Sequence, residues 1–202
     1  MDARRENMRC FVAIELPEDV KRTLHLTTEA LRKSADLKGP VKWVNADAIH
    51  LTLKFLGDVP SSRLDELKCA VQGACADTAP LHLGLGTLGV FPSARNPRVI
   101  WVGLEGDEHT LGQLAGYVDE AMAKLGFPRE TRPYTAHLTL GRVRREATNL
   151  ERSTISAALA GIPALQSASF DAREVSLMRS HLSPQGARYT CLGRARLRAP
   201  EA

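Results

Sequence analysis

The sequence predicts an α+β fold with an internal duplication, and three observations support that prediction. The string His50-Leu51-Thr52-Leu53 is repeated at His137-Leu138-Thr139-Leu140. Before each copy, strand-like and helix-like patterns follow one another in the same order. The apolar fraction of 44% and the charged fraction of 25% are ordinary for a globular chain, so fibrous and disordered classes are excluded. We expect the two copies to converge on one centre.

The first half of the chain contains a strand, a helix and a short strand before the first motif. Residues 10–16 form an apolar run that predicts a central strand. Pro17 and the acids after it are typical of a helix start, and the following spacing predicts a buried helix face at Val20, Leu24, Ala30 and Leu31. A short strand at 41–44 and a turn at 45–48 then bring the chain to the motif.

The first motif strand extends from residue 50 to residue 57. Side chains alternate between the two faces of a strand, so His50, Thr52 and Lys54 share one face in this interpretation. Leu51, Leu53 and Phe55 occupy the other face. The strand therefore offers an imidazole and a hydroxyl above the sheet, and Lys54 is a candidate neighbour of a bound phosphate.

The second half repeats this order. A helix is predicted at 63–76 and an alternating strand at 81–87, followed by a loop at 90–98 with two prolines and two arginines. A buried strand at 99–104 and a helix closed by Gly126 come next. A proline-rich approach at 128–133 leads to the second motif.

The C-terminal part adds a helix and a hairpin. The helix is predicted at 149–159, and the hairpin pairs 175–178 with 188–198 across a turn at 183–186. Arg194, Arg196 and Arg198 share one face of the last strand. A solvated sheet edge explains this stripe better than binding of a nucleic-acid backbone.

Charge and cysteine content set limits on location and partners. The net charge of +4 permits an anionic partner without requiring one. The four cysteines show no Cys-x-x-Cys pair, the N-terminal stretch has no apolar core of a signal peptide, and no segment approaches the ~20 apolar residues of a membrane span. We expect a reduced, cytoplasmic, non-membrane protein with buried thiols.

Two imidazoles and two hydroxyls suit proton transfer at a phosphorus centre. Histidine titrates near neutral pH, so one ring can act as base while the other acts as acid. Threonine hydroxyls can donate to the oxygens of an anionic centre. A lone strand histidine is usually an ordinary residue, but the duplication argues for catalysis. A zinc site would need three or four ligands, and the motif faces offer two.

Several strings give the chain a resemblance to a known family. It resembles the 2H phosphoesterase superfamily and, within it, the bacterial and archaeal RNA 2′,3′-cyclic phosphodiesterases, historically called 2′-5′ RNA ligases. The strings that carry the resemblance lie at 9–17, 41–44, 50–57, 88–92, 98–103 and 137–142.

The resemblance implies a bilobal fold with pseudo-twofold symmetry, in which two antiparallel sheets face a central cleft and the helices lie outside. Residues 1–202 would form a single domain of two intertwined lobes, with one motif in each. The implied reaction opens RNA or nucleotide 2′,3′-cyclic phosphates to 2′-phosphates without metal or cofactor, in a monomer. His50 would be the proton donor and His137 the proton acceptor, while Thr52 and Thr139 would hold the phosphate.

Three further residues are candidates for contacts with the substrate. Arg142 matches a phosphate-contacting arginine of the family. Strict alternation places it opposite His137, so we expect a twist or bulge after Gly141, or a guanidinium that curls round the strand edge. Phe91 and Tyr134 are candidates for stacking on the terminal base, although core packing is the simpler role for both.

Three other functions remain open at this stage. A 2′-5′ RNA ligase would run the reverse reaction at the same residues. A non-catalytic RNA or nucleotide-binding module would retain the cleft without turnover, although two intact motifs argue against it. A different cyclic nucleotide, or a substrate derived from ADP-ribose, would use the same chemistry.

Overall fold

The computed structural model describes residues 7–34, 37, 39–161, 168–183 and 186–198. It confirms the predicted α+β class, with two antiparallel sheets and, in the described residues, four α-helices. The elements in chain order are β1 Asn7–Glu15, α1 Glu18–Ser34, β2 Val41–Trp43, β3 His50–Pro60, α2 Leu64–Cys75, β4 Leu81–Phe91, β5 Val99–Gly106, α3 Glu108–Lys124, β6 His137–Val143, α4 Asn149–Ala160, β7 Ser169–Ala172, β8 Glu174–Ser183 and β9 Gly186–Arg196.

The strands form two sheets between which the chain passes repeatedly. Sheet A has the order β3-β1-β8-β9, and sheet B has the order β2-β6-β5-β4-β7. The first motif strand, β3, is therefore an edge strand of sheet A, whereas the second, β6, has neighbours on both sides in sheet B. Each motif strand pairs antiparallel with the apolar strand of its own repeat, β3 with β1 and β6 with β5.

The helices cover the sheets in two pairs. Helices α2 and α3 contact each other, and they also contact strands of sheet A, α2 on β8 and β9 and α3 on β3. Helices α1 and α4 contact each other, and α4 contacts β4 of sheet B. One large apolar core lies between helices and sheets, and a small second cluster of Phe11, Ala13 and Met178 lies on the other face of sheet A.

Helix α1 departs from the predicted apolar face at one position. Val20, Leu24 and Leu31 are buried as expected, but Ala30 is exposed. Two buried threonines, Thr27 and Thr28, complete the face instead. Each hydroxyl donates to the carbonyl four residues earlier at 2.9 Å, so the burial leaves no unpaired hydroxyl.

The C-terminal hairpin and helix α4 confirm the predicted elements, with a strand missed between them. Thr148 and Glu151 form a capping box at the start of α4. Strand β7 pairs with β4 and was not predicted, because its four residues carry little pattern. Strand β9 is an edge strand as expected. Pro184 and Gln185 of the predicted turn lie outside the described residues.

The cysteines differ from expectation at two positions. All four are free, and Cys10 and Cys75 are buried, but Cys191 is half-buried and Cys69 is exposed on α2. Burial raises the pKa of Cys75 to about 12, so this thiol remains protonated at neutral pH. Within the part of the chain that the structure describes, no helix is long and apolar enough to cross a membrane.

Candidate active site

The first motif strand contains a β-bulge at Leu53. In the β1–β3 pairing, Ala13 lies opposite Thr52 and Val12 lies opposite Lys54, so Leu53 has no partner of its own. The extra residue reverses the alternation beyond it. Phe55 therefore lies opposite Phe11, on the same face as His50 and Thr52, and its side chain is 66% exposed.

The bulge makes the expected role of Lys54 wrong. Lys54 is on the helix side of sheet A, where its ammonium donates to the Asp119 carboxylate of α3 and to the carbonyl oxygen of Pro128 at 2.6 Å. The predicted position beside a bound phosphate assumed unbroken alternation. Lys54 instead ties β3 to α3 and to the loop after it.

The second motif strand has the same irregularity at Leu140. Trp101 lies opposite Thr139 and Ile100 lies opposite Gly141, so Leu140 is the extra residue. Arg142 then lies opposite Val99, on the face that carries Trp101, Thr139 and His137. The expected bulge is present, one residue before Gly141 rather than after it, and it brings the guanidinium to the histidine face.

The two bulges give the two motif strands the same pattern of buried and exposed residues. Burial follows the same sequence over the first seven residues of both strands: half-buried, buried, half-buried, buried, buried, exposed, buried. Phe55 and Arg142 thus occupy equivalent positions in the two repeats. An aromatic ring stands where the other repeat has a guanidinium.

Both imidazoles are held in one tautomer by the same local contact. Nδ1 of His50 lies 3.0 Å from the Ala48 carbonyl oxygen, and Nδ1 of His137 lies 2.8 Å from the Thr135 carbonyl oxygen. A carbonyl only accepts, so each Nδ1 must carry a proton and donate it. Nε2 is then the free proton-transfer atom of each ring, and neither Nε2 bonds to a described residue.

Aromatic rings hold the His50 imidazole. The Phe11 ring stacks on it at 4.6 Å between centroids, and the Tyr189 ring meets it edge-on at 4.9 Å. Burial lowers the pKa of His50, while the hydrogen bond to Ala48 and the charge of Glu15, the cross-strand neighbour, act in the opposite direction. The net effect favours the neutral ring in the free protein.

His137 is packed by a different pair. Phe91 meets its ring edge-on at 5.1 Å, and the Trp101 ring lies 6.5 Å away between centroids. Trp101 lies flat across β4 because Gly89 has no side chain: a Cβ there would stand 2.3 Å from the indole. Phe91 therefore packs on both Trp101 and His137, and whether it also stacks on a base stays a prediction.

Contacts across the lobes bring the two motifs together. Strands β3 and β6 contact each other although they belong to different sheets. The Tyr134 hydroxyl, just before the second motif, donates to the carbonyl oxygen of Thr52 in the first at 3.1 Å. Tyr134 packs on the main core and burial raises its pKa, which fits packing better than base stacking.

Arg142 also acts across the lobes. Burial raises the pKa of Tyr189, and the charges of Arg142 and Arg9 oppose that rise. Charge interactions of this kind require short separations, since solvent screens exposed charges farther apart. The charge of Arg142, on sheet B, thus acts on Tyr189 of sheet A, which itself contacts His50.

A cavity opens beside His50. Its volume is about 370 Å³, within the range of small-molecule sites. Lys21, Arg188 and Tyr189 are among its lining residues, together with Glu15 and the turn before β3. Among the described residues, no group of three or more histidine, cysteine or acidic side chains could hold a metal ion.

The sequence missed the residues that pack the imidazoles: Phe11, Tyr189 and Trp101. Phe11 and Trp101 are on strands that pair with the motif strands, and both strands were predicted. The position of Phe11 and Trp101 relative to the histidines depends on the register of these strand pairs, and the bulges shift that register. Tyr189 comes from β9, far away in sequence, and no local pattern could place it on His50.

Comparison with known proteins identifies the family. The model of the LigT-like phosphoesterases matches residues 14–101 and again residues 103–189, so that each match contains one motif. An RNA 2′,3′-cyclic phosphodiesterase of Methanothermobacter thermautotrophicus is 34% identical over 183 residues, which are 91% of this chain and 95% of the relative. One of Archaeoglobus fulgidus is 32% identical over 90% of this chain and 96% of its own length.

Solved structures agree with these relatives. A protein of Thermus thermophilus superimposes with a TM-score of 0.77 at 27% identity, covering 96% of this chain and all of the other. Escherichia coli LigT in complex with 3′-AMP gives 0.74 at 27% identity, over 95% of this chain and 99% of that one. This chain belongs to the LigT-like phosphoesterase family, as the resemblance of its motifs implied.

Proposed function

We propose that this protein is an RNA 2′,3′-cyclic phosphodiesterase that opens terminal cyclic phosphates to 2′-phosphates without a metal. The observation that carries the proposal is the matched pair of imidazoles. Each donates Nδ1–H to the carbonyl two residues earlier and keeps Nε2 free, on strands that contact each other. The names of the relatives and the nucleotide bound to Escherichia coli LigT support the substrate class.

The proposed chemistry is an in-line displacement at phosphorus. Nε2 of His137 takes a proton from water as the water oxygen bonds to phosphorus. The bond from phosphorus to O3′ breaks, and Nε2 of His50 gives its proton to the departing oxygen. Thr52, Thr139 and Arg142 share the face of the histidines and donate to the phosphate oxygens.

The lowered pKa of His50 bears on this assignment of roles. It disfavours the imidazolium in the free protein, whereas an acid must hold a proton when the substrate is bound. A cyclic phosphate carries one negative charge, and an anion next to the ring stabilises the imidazolium. In this proposal, binding of the anionic substrate favours protonation of His50.

Hydrolysis of a nucleoside 2′,3′-cyclic phosphate in EDTA tests the proposal, with products assigned by phosphorus NMR. We expect turnover to the nucleoside 2′-phosphate. Turnover that EDTA abolishes would contradict the metal-free mechanism, and a 3′-phosphate product would contradict the regiochemistry. Absence of turnover together with tight binding would identify a binding module. Addition of an RNA with a 5′-hydroxyl end would reveal ligation as a 2′-5′ linked product.

A further inference from the structure

Exposed cations continue outward from Arg142 at one end of sheet B. We call them the basic patch, which consists of Lys42, Arg95, Arg98, Arg144 and Arg145. All five are exposed. The proposed reaction at the histidines requires none of them.

Backbone pairing places Lys42 and Arg98 next to Arg142 at one end of sheet B. Lys42 of β2 lies directly opposite Arg142 of β6, so the two side chains share a face. Arg98 comes immediately before the residue that pairs with Arg142 on the other side, and its carbonyl oxygen accepts from the Val143 N–H at 2.9 Å. The patch therefore begins at the cleft and extends away from it.

The side chain of Arg152 links the two loops of the basic patch. The Arg152 guanidinium of α4 donates to the Pro97 carbonyl oxygen at 2.8 Å and to the Arg145 carbonyl oxygen at 3.3 Å. The loop before β5 and the loop after β6 are thereby joined. Arg98 and Arg145, which these loops present, are held at the same end of the sheet.

The charge of the basic patch is not compensated within the described residues. None of its five cations forms an ion pair with a described acid, and the acid nearest in sequence is Glu146. A larger groove of about 670 Å³ on the other side of Glu15 differs in this respect. Its arginines are neutralised by acids: Arg173 by Asp171, Arg194 by Glu15 and Glu174, and Arg196 by Glu174.

We propose that the basic patch binds the phosphates of the RNA strand 5′ of the terminal nucleotide, so that the preferred substrate is an oligonucleotide end rather than a free cyclic nucleotide. This inference rests on the proposed function. Guanidinium groups bind phosphate oxygens in pairs of hydrogen bonds. Continuity with Arg142 favours a strand that leaves the bound end over a membrane surface or a separate acidic protein.

The test compares a patch variant with a charge-matched control. Arg98→Gln/Arg145→Gln removes two patch cations whose side chains make no described hydrogen bond. Arg22→Gln/Lys33→Gln removes two exposed cations of α1 outside the cavity beside His50. Binding of a labelled oligoribonucleotide ending in a 2′-phosphate is measured by fluorescence anisotropy over a range of KCl concentrations. Turnover of the cyclic mononucleotide and of an oligonucleotide with the same cyclic end is measured in parallel.

We expect the patch variant to bind the oligonucleotide about tenfold more weakly. The slope of log affinity against log salt should become shallower by about 1.4, since each lost contact to a single strand contributes about 0.7. Mononucleotide turnover should stay within about twofold, and the control should match the original protein.

Equal oligonucleotide binding by the original protein and the patch variant would overturn the inference. An equal loss in the control, or an equal loss on the mononucleotide, would also overturn it. Preferential binding of the patch to anionic vesicles over the oligonucleotide would assign it to a membrane surface instead. If the protein fails to open the cyclic mononucleotide at all, the proposed function falls, while the binding measurement still decides for or against the patch.

Discussion

Strands β3 and β6 share a backbone pattern over their first six residues and have different surroundings. Each places a histidine and a threonine on one face, inserts an extra leucine as a bulge, and returns a sixth residue to the histidine face. Around that common frame, His50 is stacked on Phe11, and the Phe11 ring also contacts the exposed ring of Phe55. His137 has Phe91 at its edge and shares its face with the cation Arg142.

The features that the two repeats share and the features in which they differ contribute different things to the site. The repeated backbone provides two imidazoles with the same tautomer and the same free atom. Divergence at the bulge-displaced position gives one repeat a ring and the other a charge. Two identical lobes would offer two histidines with equivalent surroundings, whereas the surroundings of His50 and His137 differ. We infer that the different surroundings decide which imidazole acts as the acid and which as the base.

The largest expected effect concerns the histidines. His50→Ala and His137→Ala should each lower kcat/KM for the cyclic phosphate by about 10³-fold, because each removes one proton-transfer group. His82→Ala is the matched control: His82 is exposed, pairs with Asp171 on another part of sheet B, and should have no effect. A loss of less than about tenfold in either motif variant would show that its imidazole is not required for proton transfer.

A change of leaving group distinguishes the two roles. In a 2′,3′-cyclic substrate with sulfur in place of the 3′ oxygen, the departing thiolate needs little protonation. The defect of His50→Ala should shrink by at least about tenfold on this substrate, while the defect of His137→Ala should persist. The opposite pattern would exchange the two assignments. Equal defects would remove the acid–base distinction.

The next prediction compares Arg142 with Phe55, which occupy equivalent positions in the two repeats. Arg142→Gln should weaken inhibition by inorganic phosphate by about 10- to 100-fold, because a hydrogen bond to a charged group contributes about 1.5–3 kcal/mol. Phe55→Leu should leave that inhibition unchanged, since its ring carries no charge. Phosphate inhibition constants of the two variants provide the measurement. Equal losses would mean that the pseudo-symmetric positions are not specialised.

A smaller effect concerns the contact that anchors the first motif strand. Lys54→Met should lower the free energy of unfolding by about 1–3 kcal/mol, since it leaves the Asp119 carboxylate without its buried partner. Lys21→Met, which removes an exposed 3.9 Å pair with Glu18, should cost less than about 0.5 kcal/mol. Urea unfolding midpoints measure both. Equal shifts would show that the Lys54 contact is no more important than a surface pair.

The sequence pointed to the two histidines that the structure brings together, and to most of the elements that hold them. The repeated string revealed His50, Thr52, His137 and Thr139, because polar residues at alternate positions of a strand lie on one face. Bulges remain hidden in a sequence of this kind, since an extra leucine looks like any other apolar residue. Lys54 was therefore assigned to the wrong face. For Arg142, a contact with phosphate required the guanidinium to reach the face of His137. Strict alternation did not allow this, so a bulge could be predicted there.

The central claim is that two differently placed imidazoles act on one centre as acid and base. The dependence of kcat/KM on pH in EDTA, between about pH 5 and pH 9, tests it most directly. We expect a bell with two limbs, because the base must be neutral and the acid protonated. Burial lowers the pKa of His50, the proposed acid, so activity on the alkaline side should be lost at lower pH than an unburied imidazole would give. A flat profile, or one that rises or falls with a single limb, would contradict the claim.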